Sequence, residues 1–441
     1  MSLAARQLAN RILLGLIIGA AAGALTLVIG AWVPALLEGA RKVSTWVFDP
    51  LGQVFLRMLF FVIVPLVFSS LASGVLQLRR LSRLGPLAGR TFALFFVNMA
   101  IAVALGLVMM NIVEPGGRLD EPTTARLMEE YSGVAKGKIV SRAQTPEVTP
   151  SSLVEMFMPR NLFGAFVGSD RNLLGEMLPL ILFAILVGAA GTAMKEDRRA
   201  RLQAGLDTIT ELMTGIVNFA LRLAPYAVPA MIYSVVVKIG FDILIALGLF
   251  VVGCAGVMLL HLFGTMSIWL RIWTAFRPSD FFRRIEAVLI TAFSTSSSAA
   301  TLPTALGVAR DELRIRPSVA GFVLPLGTTM NMSGTALYEG CVVLFVAQVF
   351  GIELGFVQQI TLLLLAVLSA VAVAAVPGGS LPLIAGLLVS FGIPPEGIGI
   401  VLGVDRLLDM TRTMVNVGSD VVTTAVVDAK STAIDQEGAV V

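Results

Sequence analysis

The sequence predicts an all-α integral membrane protein, and three observations carry that expectation. Of 441 residues, 56% are hydrophobic and only 14% charged, with a mean hydropathy of +0.88. A soluble domain carries about 25% charged residues. Apolar runs of about 20 residues or more recur along the chain, which favours spanning helices over the closed sheet of a barrel. Two further apolar runs near the C-terminus are interrupted at their middles, as half-helices that enter and leave a bilayer on one side would be. The net charge of +3 is small and lies in loops, so it bears on orientation rather than on nucleic acid.

The first apolar run spans residues 11–38. It is too long for a cleavable leader and has no clear processing site, so it is read as the first transmembrane helix. Runs at 46–77 and 90–113 follow. The polar interval 114–152, with its Pro, Gly and mixed charges, is a loop. Beyond it come a broken apolar region at about 153–194, then 206–237 and 240–272. Arg6 and Arg11 precede the first run, and Arg79, Arg80, Arg83 and Arg90 lie between the second and third. Lys195, Arg198, Arg199 and Arg201 follow the fourth run, and Arg271, Arg277, Arg283 and Arg284 the sixth. An alternating topology with a cytoplasmic N-terminus puts each cluster inside, and the 114–152 loop outside. Arg41 and Lys42 are the exceptions. Cys254 and Cys341 sit inside apolar runs and read as small hydrophobes rather than a disulfide framework. The only histidine, His261, reads as a packing residue.

After Arg284 the pattern changes. Residues 287–309, AVLITAFSTSSSAATLPTALGVA, are apolar at both ends and broken by hydroxyls. Neither half is long enough to cross about 30 Å of hydrocarbon. Charges bracket the run: Arg284 and Glu286 before it, Arg310 and Asp311 after it. The expectation is a re-entrant hairpin from the cytoplasmic side. A spanning helix at about 316–350 comes next, and then residues 354–392, apolar but interrupted by VPGGSLP from Val376 to Pro382. Pro377 lacks a backbone donor and the two glycines permit unusual dihedrals, so a second hairpin is expected from the external side. Two interrupted segments, each followed by a spanning helix, point to inverted repeats and a binding site at the bilayer midplane. The helix between the hairpins carries GTTMNMSGTALYEG, Gly327 to Gly340. If it unwinds there, free carbonyls become hard-oxygen ligands for a cation; the alternative is that small residues merely permit close helix packing.

The final run, about 396–428, contains VDRLLDMTRTMVNVGSD from Val404 to Asp420. With about 100° per residue, Asp409, Arg412, Thr413, Asn416 and Asp420 fall within a sector of roughly 100°, beside Asp405. Ionisable groups at membrane depth are costly and by default mark a ligand or ion path. Carboxylates, a guanidinium, an amide and a hydroxyl on one stripe suit a zwitterion and cations. A charge-paired lock between helices is the competing reading.

The TSSSAATLP tip, the NMSGTALYEG helix, the VPGG tip and the DRLLDMTRTMVNVGSD helix, in that order, resemble the dicarboxylate/amino acid:cation symporters. That family includes prokaryotic aspartate and glutamate transporters and the mammalian excitatory amino acid transporters. The likeness is strongest over about 285–428 and looser toward the N-terminus. It implies eight transmembrane helices plus two re-entrant helical hairpins with inverted repeats, in an elevator-type transporter assembled as a homotrimer. Residues 1–77 and 153–237 would be scaffold helices (one and two, four and five). Residues 88–113 (helix three) and 240–428 would form the moving transport domain, with 114–152 an external loop and 429–441 a C-terminal tail. Within 240–428 lie helix six, hairpin one (about 281–310), helix seven (about 316–350), hairpin two (about 354–392) and helix eight (about 396–428).

For the substrate, the resemblance makes Arg412 the partner of a side-chain carboxylate, a task suited to its bidentate fork. Asp409 would hold the amino group, Asn416 and Thr413 the α-carboxylate and amino end, and Thr335 the side-chain carboxylate. Ser298 falls at the hairpin-one tip and Val376 at the gate. Arg412 with Asp409 implies an acidic amino acid. For sodium, Asp420 with backbone oxygens of Gly327, Asn331 and Asn416 matches one site, and Thr329 with carbonyls at Ala370, Val371 and Val373 a second. A third family site uses an aspartate where this chain has Ser333, and third-helix hydroxyls where it has Phe95, Asn98 and Met99. That site is expected to be missing or altered. Glu339 matches a glutamate that carries a proton in the mammalian relatives, which makes proton coupling the alternative. The family's accessory arginine is absent from Ser296 and Met410, and Arg406 is the nearest substitute.

The expectation is therefore a secondary active symporter for aspartate or glutamate in a bacterial inner membrane, coupled to sodium, with both termini cytoplasmic and no resident cofactor. A proton-coupled symporter for the same acids or for C4-dicarboxylates is the alternative. A membrane hydrolase using Ser296, Ser297 or Ser298 with His261 as base lacks the local context of a nucleophile. A dedicated channel would not require the Arg412–Asp409 pair.

Overall fold

The computed structural model describes residues 3–81, 86–119, 158, 160–167, 177–373 and 380–437. Every regular element among them is helical. In chain order the helices are α1 (Leu3–Gly30), α2 (Pro34–Val43), α3 (Asp49–Phe61), α4 (Ile63–Leu81), α5 (Pro86–Val113), α6 (Leu162–Val167) and α7 (Met177–Thr192). There follow α8 (Glu196–Leu221), α9 (Ala224–Ile239), α10 (Asp242–Leu260), α11 (Met266–Trp273), α12 (Pro278–Arg284), α13 (Glu286–Thr295) and α14 (Ser298–Asp311). The last five are α15 (Pro317–Met330), α16 (Ser333–Val349), α17 (Phe356–Ala372), α18 (Leu381–Ser390) and α19 (Ile398–Glu437).

Prolines decide where several apolar runs break. A proline ring inside a helix collides with the carbonyl four residues back. Pro65 stands four residues after Phe61, where α3 stops, and Pro225 four after Leu221, where α8 stops. The runs 46–77 and 206–237 are therefore each interrupted between two helices. Among the described residues, Gly89–Val113, Asp242–Trp273 and Pro317–Val349 are long and apolar enough to cross a membrane by length and composition, and the shorter apolar helices have 10–17 residues. The middle one of these three is not uniform. A π-helical turn, His261–Thr265, joins α10 to α11 and buries His261 and Leu262.

Two sets of helices pack mainly within themselves. In the first, α1 lies along α9, α9 against α3, and α4 against α7 and α8. In the second, α5 lies along α16 and contacts α10 and α17. There α19 is the common partner of α10, α11, α13, α14, α15 and α16. The sets meet where α1 and α9 touch α19 and where α18 touches α3 and α4. Apolar side chains such as Leu14, Ile17, Leu25, Ile245 and Val252 are exposed on the outer faces, as a hydrocarbon surround permits. Trp32 and Trp46 are also exposed, near one end of α1 and in the turn before α3. The inner helices differ in kind: every residue of α16 except Gln348 is buried.

The hairpin regions follow from local chemistry. Helix α13 ends at Thr295 because Ser296 takes the left-handed conformation (φ 48°, ψ 35°) that closes a helix C-terminus. Ser297 then caps the next helix, its hydroxyl accepting from the Ala300 amide at 3.2 Å. Helices α13 and α14 pack side by side. Helices α17 and α18 also touch, and residues 374–379 between them lie outside the described residues.

Candidate binding site at a helix break

The stretch read as one spanning helix at 316–350 is broken in the middle. Helix α15 stops at Met330 and α16 starts at Ser333, and Asn331 (φ −117°, ψ 62°) and Met332 (φ −92°, ψ 60°) are not helical. Interrupting a helix leaves carbonyls of α15 and amides of α16 without intrahelical partners. Asn416 of α19 meets the amides: its Oδ1 accepts from Gly334 N at 2.8 Å and Thr335 N at 3.2 Å. Its Nδ2 donates to the Thr335 hydroxyl at 3.0 Å. Gly334 makes this approach sterically allowed, since a Cβ there would lie 2.5 Å from the Arg412 carbonyl oxygen.

Asp420 faces the other half of the break. Its Oδ1 accepts from Asn331 Nδ2 at 2.9 Å. A Cβ on Gly327 would stand 2.5 Å from the same oxygen, so glycine is what lets the carboxylate lie against the α15 backbone. Gly327 and Asn331 thus lie against the buried Asp420 carboxylate, and Asn416 stands one turn earlier on α19. Carboxylate and carbonyl oxygens are the hard ligands that an alkali cation takes.

About two to four turns before Asp420 on α19 lies a cluster of four charges. Arg412 donates from Nε to Asp409 Oδ1 at 2.9 Å, with Nη2 2.8 Å from the same oxygen. Its Nη1 donates to the Ser380 hydroxyl of the second hairpin and stands 3.7 Å from Asp405 Oδ1. The guanidinium also lies over the Tyr338 ring, 5.1 Å from its centroid. Arg406 Nη1 is 3.3 Å from Asp409 Oδ2. Asp405, Asp409 and Arg412 are each buried. Charges this deep persist because each has an opposite partner at hand. Thr413 bonds back to the Asp409 carbonyl at 2.8 Å.

The remaining expected residues are placed as follows. Ser298 is buried at the first position of α14, whose hairpin packs on α19. Val376 lies outside the described residues. Thr329 is exposed, and its hydroxyl donates to the Leu326 carbonyl at 3.1 Å. Helix α17, which packs on α15, ends at Ala372, with Val373 extended (φ −69°, ψ 130°). The carbonyls of Ala370 and Val371 therefore belong to the last turn of a half-helix, the negative end of its dipole. Around the positions expected for an altered third cation site, Ser333 bonds with Ser419 at 3.0 Å and Asn98 donates to Asn331 Oδ1 at 2.9 Å. Phe95 and Met99 beside Asn98 are buried apolar side chains. Glu339 is wholly buried. Ser369 of α17 is the hydroxyl beside it. His261 is buried in the π-helical turn, within a helix other than the one that carries the serines.

Three contributors were not singled out from the sequence: Tyr338, Ser380 and Ser419. Ser380 belongs to the quoted VPGGSLP break and Ser419 adjoins Asp420, so both had a signal. Tyr338 had none, since an aromatic residue in an apolar helix reads as packing.

The chain matches the profile described as "Sodium:dicarboxylate symporter family" over residues 8–430. A proton/sodium-glutamate symport protein of Bacillus caldotenax is 32% identical over 395 residues, covering 89% of each chain. A proton/glutamate-aspartate symporter of Escherichia coli K12 is 29% identical over 378 residues, 84% of this chain and 82% of the relative. A C4-dicarboxylate transport protein of Deinococcus radiodurans is 28% identical over 433 residues, 98% of this chain and 90% of the relative.

Proposed function

Because the chain belongs to the sodium:dicarboxylate symporter family, a family of transporters and not of enzymes, we propose that it imports aspartate or glutamate by sodium-coupled symport. The observation that carries this reading is the buried Arg412–Asp409 pair beside the broken helix. A guanidinium fork suits a substrate side-chain carboxylate, and Asp409 suits an ammonium. Thr335, Thr413, Asn416 and the tips at Ser298 and Val376 complete the substrate site.

Sodium is taken up with the substrate at two places. One is built from Asp420 with oxygens of Gly327, Asn331 and Asn416; the other from Thr329 with carbonyls of Ala370, Val371 and Val373. The third site of the family is missing or altered, with Ser333 in place of its carboxylate. Residues 1–77 and 153–237 act as a trimer scaffold, and 88–113 with 240–428 as the moving domain. The whole has eight transmembrane helices and two hairpins in a bacterial plasma membrane, with both termini cytoplasmic.

The test is uptake of radiolabelled L-aspartate into proteoliposomes with sodium and proton gradients imposed separately. Sodium-driven accumulation supports the reading, and no uptake under either gradient overturns it. One observation favours a second reading, proton coupling: Glu339 is a wholly buried carboxyl, with the Ser369 hydroxyl of α17 beside it. Uptake driven by the proton gradient alone, and abolished in Glu339→Gln, would establish that reading in place of the first.

A further inference from the structure

We infer that Asn98 sets the side chain of Asn331 as an internal stand-in for the cation at Asp420. Asn98 is then a positioning residue for sodium binding without being one of the ligands. The inference rests on the sodium reading of Asp420 given above. An ionised carboxylate only accepts hydrogen bonds, so the Asn331 side chain presents its NH2 group to Asp420, Nδ2 to Oδ1 at 2.9 Å. Its own Oδ1 is thereby turned to α5, where Asn98 Nδ2 donates to it at 2.9 Å. Two amides and a carboxylate form one directed chain across α5, the α15–α16 break and α19. All three side chains are buried, and Asn98 adjoins the buried apolar Phe95 and Met99 on its own helix. An amide in such surroundings is costly unless it is bonded, which favours the orientation that reaches Asn331.

Asn331 Nδ2 has a second acceptor within reach, Ser419 Oγ at 3.4 Å. Ser419 gives its own proton to the Asn416 carbonyl at 2.8 Å, so its oxygen is free to accept, from Ser333 at 3.0 Å and from Asn331. A cation arriving at Asp420 displaces Nδ2 toward Ser419, by a pivot about the Oδ1 that Asn98 holds. Until then the amide satisfies the buried carboxylate, and it is also the competitor that sodium has to displace. Asn98 decides how firmly that competitor is held. A donor on Oδ1 fixes the rotation of the Asn331 amide, and a preorganised group loses less entropy when it bonds. Without Asn98 the amide dwells less on Asp420, and sodium meets weaker competition.

The experiment titrates sodium in two ways: thermal shift of the detergent-solubilised protein, and initial rates of L-aspartate uptake in proteoliposomes. It compares wild type with Asn98→Leu, Asn98→Ala, Asn331→Ala and the double variant Asn98→Leu/Asn331→Ala. Both Asn98 variants are expected to lower the sodium midpoint roughly three- to tenfold, the weight of about one net hydrogen bond. Aspartate KM at saturating sodium should stay within about twofold of wild type. A role in packing alone predicts the opposite sign, since a damaged site holds sodium less well. Asn331→Ala removes the stand-in directly and should also lower the midpoint. Asn98→Leu should add nothing in that background, because it acts through Asn331. Thermal shift reads any variant that no longer transports, and Asn98→Ala or Asn331→Ala decides if Asn98→Leu does not fold. A midpoint unchanged or raised in the folded variants, or an equal effect of Asn98→Leu in both backgrounds, overturns the inference and leaves sodium symport standing. A wild type whose uptake and melting temperature both ignore sodium removes that reading itself, and the inference with it.

Discussion

Asn331 Nδ2 donates to Asp420 Oδ1 at 2.9 Å, tying the non-helical residue of the α15–α16 break to the middle of α19. In the proposed sodium site a cation on Asp420 would compete with that amide for the carboxylate, coupling cation binding to the local backbone. Removing the charge should uncouple them. Asp420→Asn is expected to raise the sodium concentration for half-maximal aspartate uptake at least about tenfold, because a neutral amide is a poorer hard-oxygen ligand. A sodium titration of initial rates checks it, and an unchanged midpoint would remove Asp420 from the coupling site.

Arg412→Lys keeps the charge but loses the fork. Arg412 engages Asp409 through two nitrogens and Ser380 through a third, and a lysine has one point of contact. Loss of charge-assisted bonds of this type costs about 1.5–3 kcal/mol. Aspartate KM should rise roughly 10- to 150-fold. Transport kinetics of the variant against wild type decide the matter.

Gly334→Ala tests the packing of the break against α19. The added methyl would stand 2.5 Å from the Arg412 carbonyl oxygen, and backbone cannot swing aside as a side chain can. Overpacking of this kind costs about 1–3 kcal/mol. A lower melting temperature in detergent is expected, together with weaker aspartate binding, since Asn416 must release the Gly334 amide. Wild-type values for both would show the interface to be looser than described.

Ser333 bears on stoichiometry. With Ser419, Asn98 and Asn331 it forms a buried neutral group of hydroxyls and amides. Reversal-potential measurements in proteoliposomes should give about two sodium ions per substrate, since a cation without a carboxylate partner is poorly held. Ser333→Asp is expected to steepen the sodium dependence by supplying the missing charge. A wild-type value of three would show that the neutral group binds sodium after all.

Much of this arrangement was legible because its signals are local. The TSSS interruption marks where α13 ends, since Ser296 takes a left-handed turn and Ser297 caps the next helix. The polar face of α19 follows from helical period alone, and its members Asp409, Arg412, Asn416 and Asp420 are all buried. The helix breaks before Pro65 and Pro225 were open to the same reasoning but passed as continuous runs, because hydropathy does not register the backbone geometry of proline. Tyr338 under Arg412 had no local signal at all.

The sequence by itself determined a helical membrane protein, two interrupted segments, and a charged stripe on the last helix. Period, hydropathy and backbone chemistry act over a few residues, and so can be read from a few residues. Only the tertiary structure decided which residues of other helices those charges meet. Asp420 accepts from Asn331 at the α15–α16 break, and Ser380, just before α18, accepts from the Arg412 guanidinium. Those pairings depend on how helices distant in the chain are brought together, and two glycines, Gly327 and Gly334, set how closely they approach.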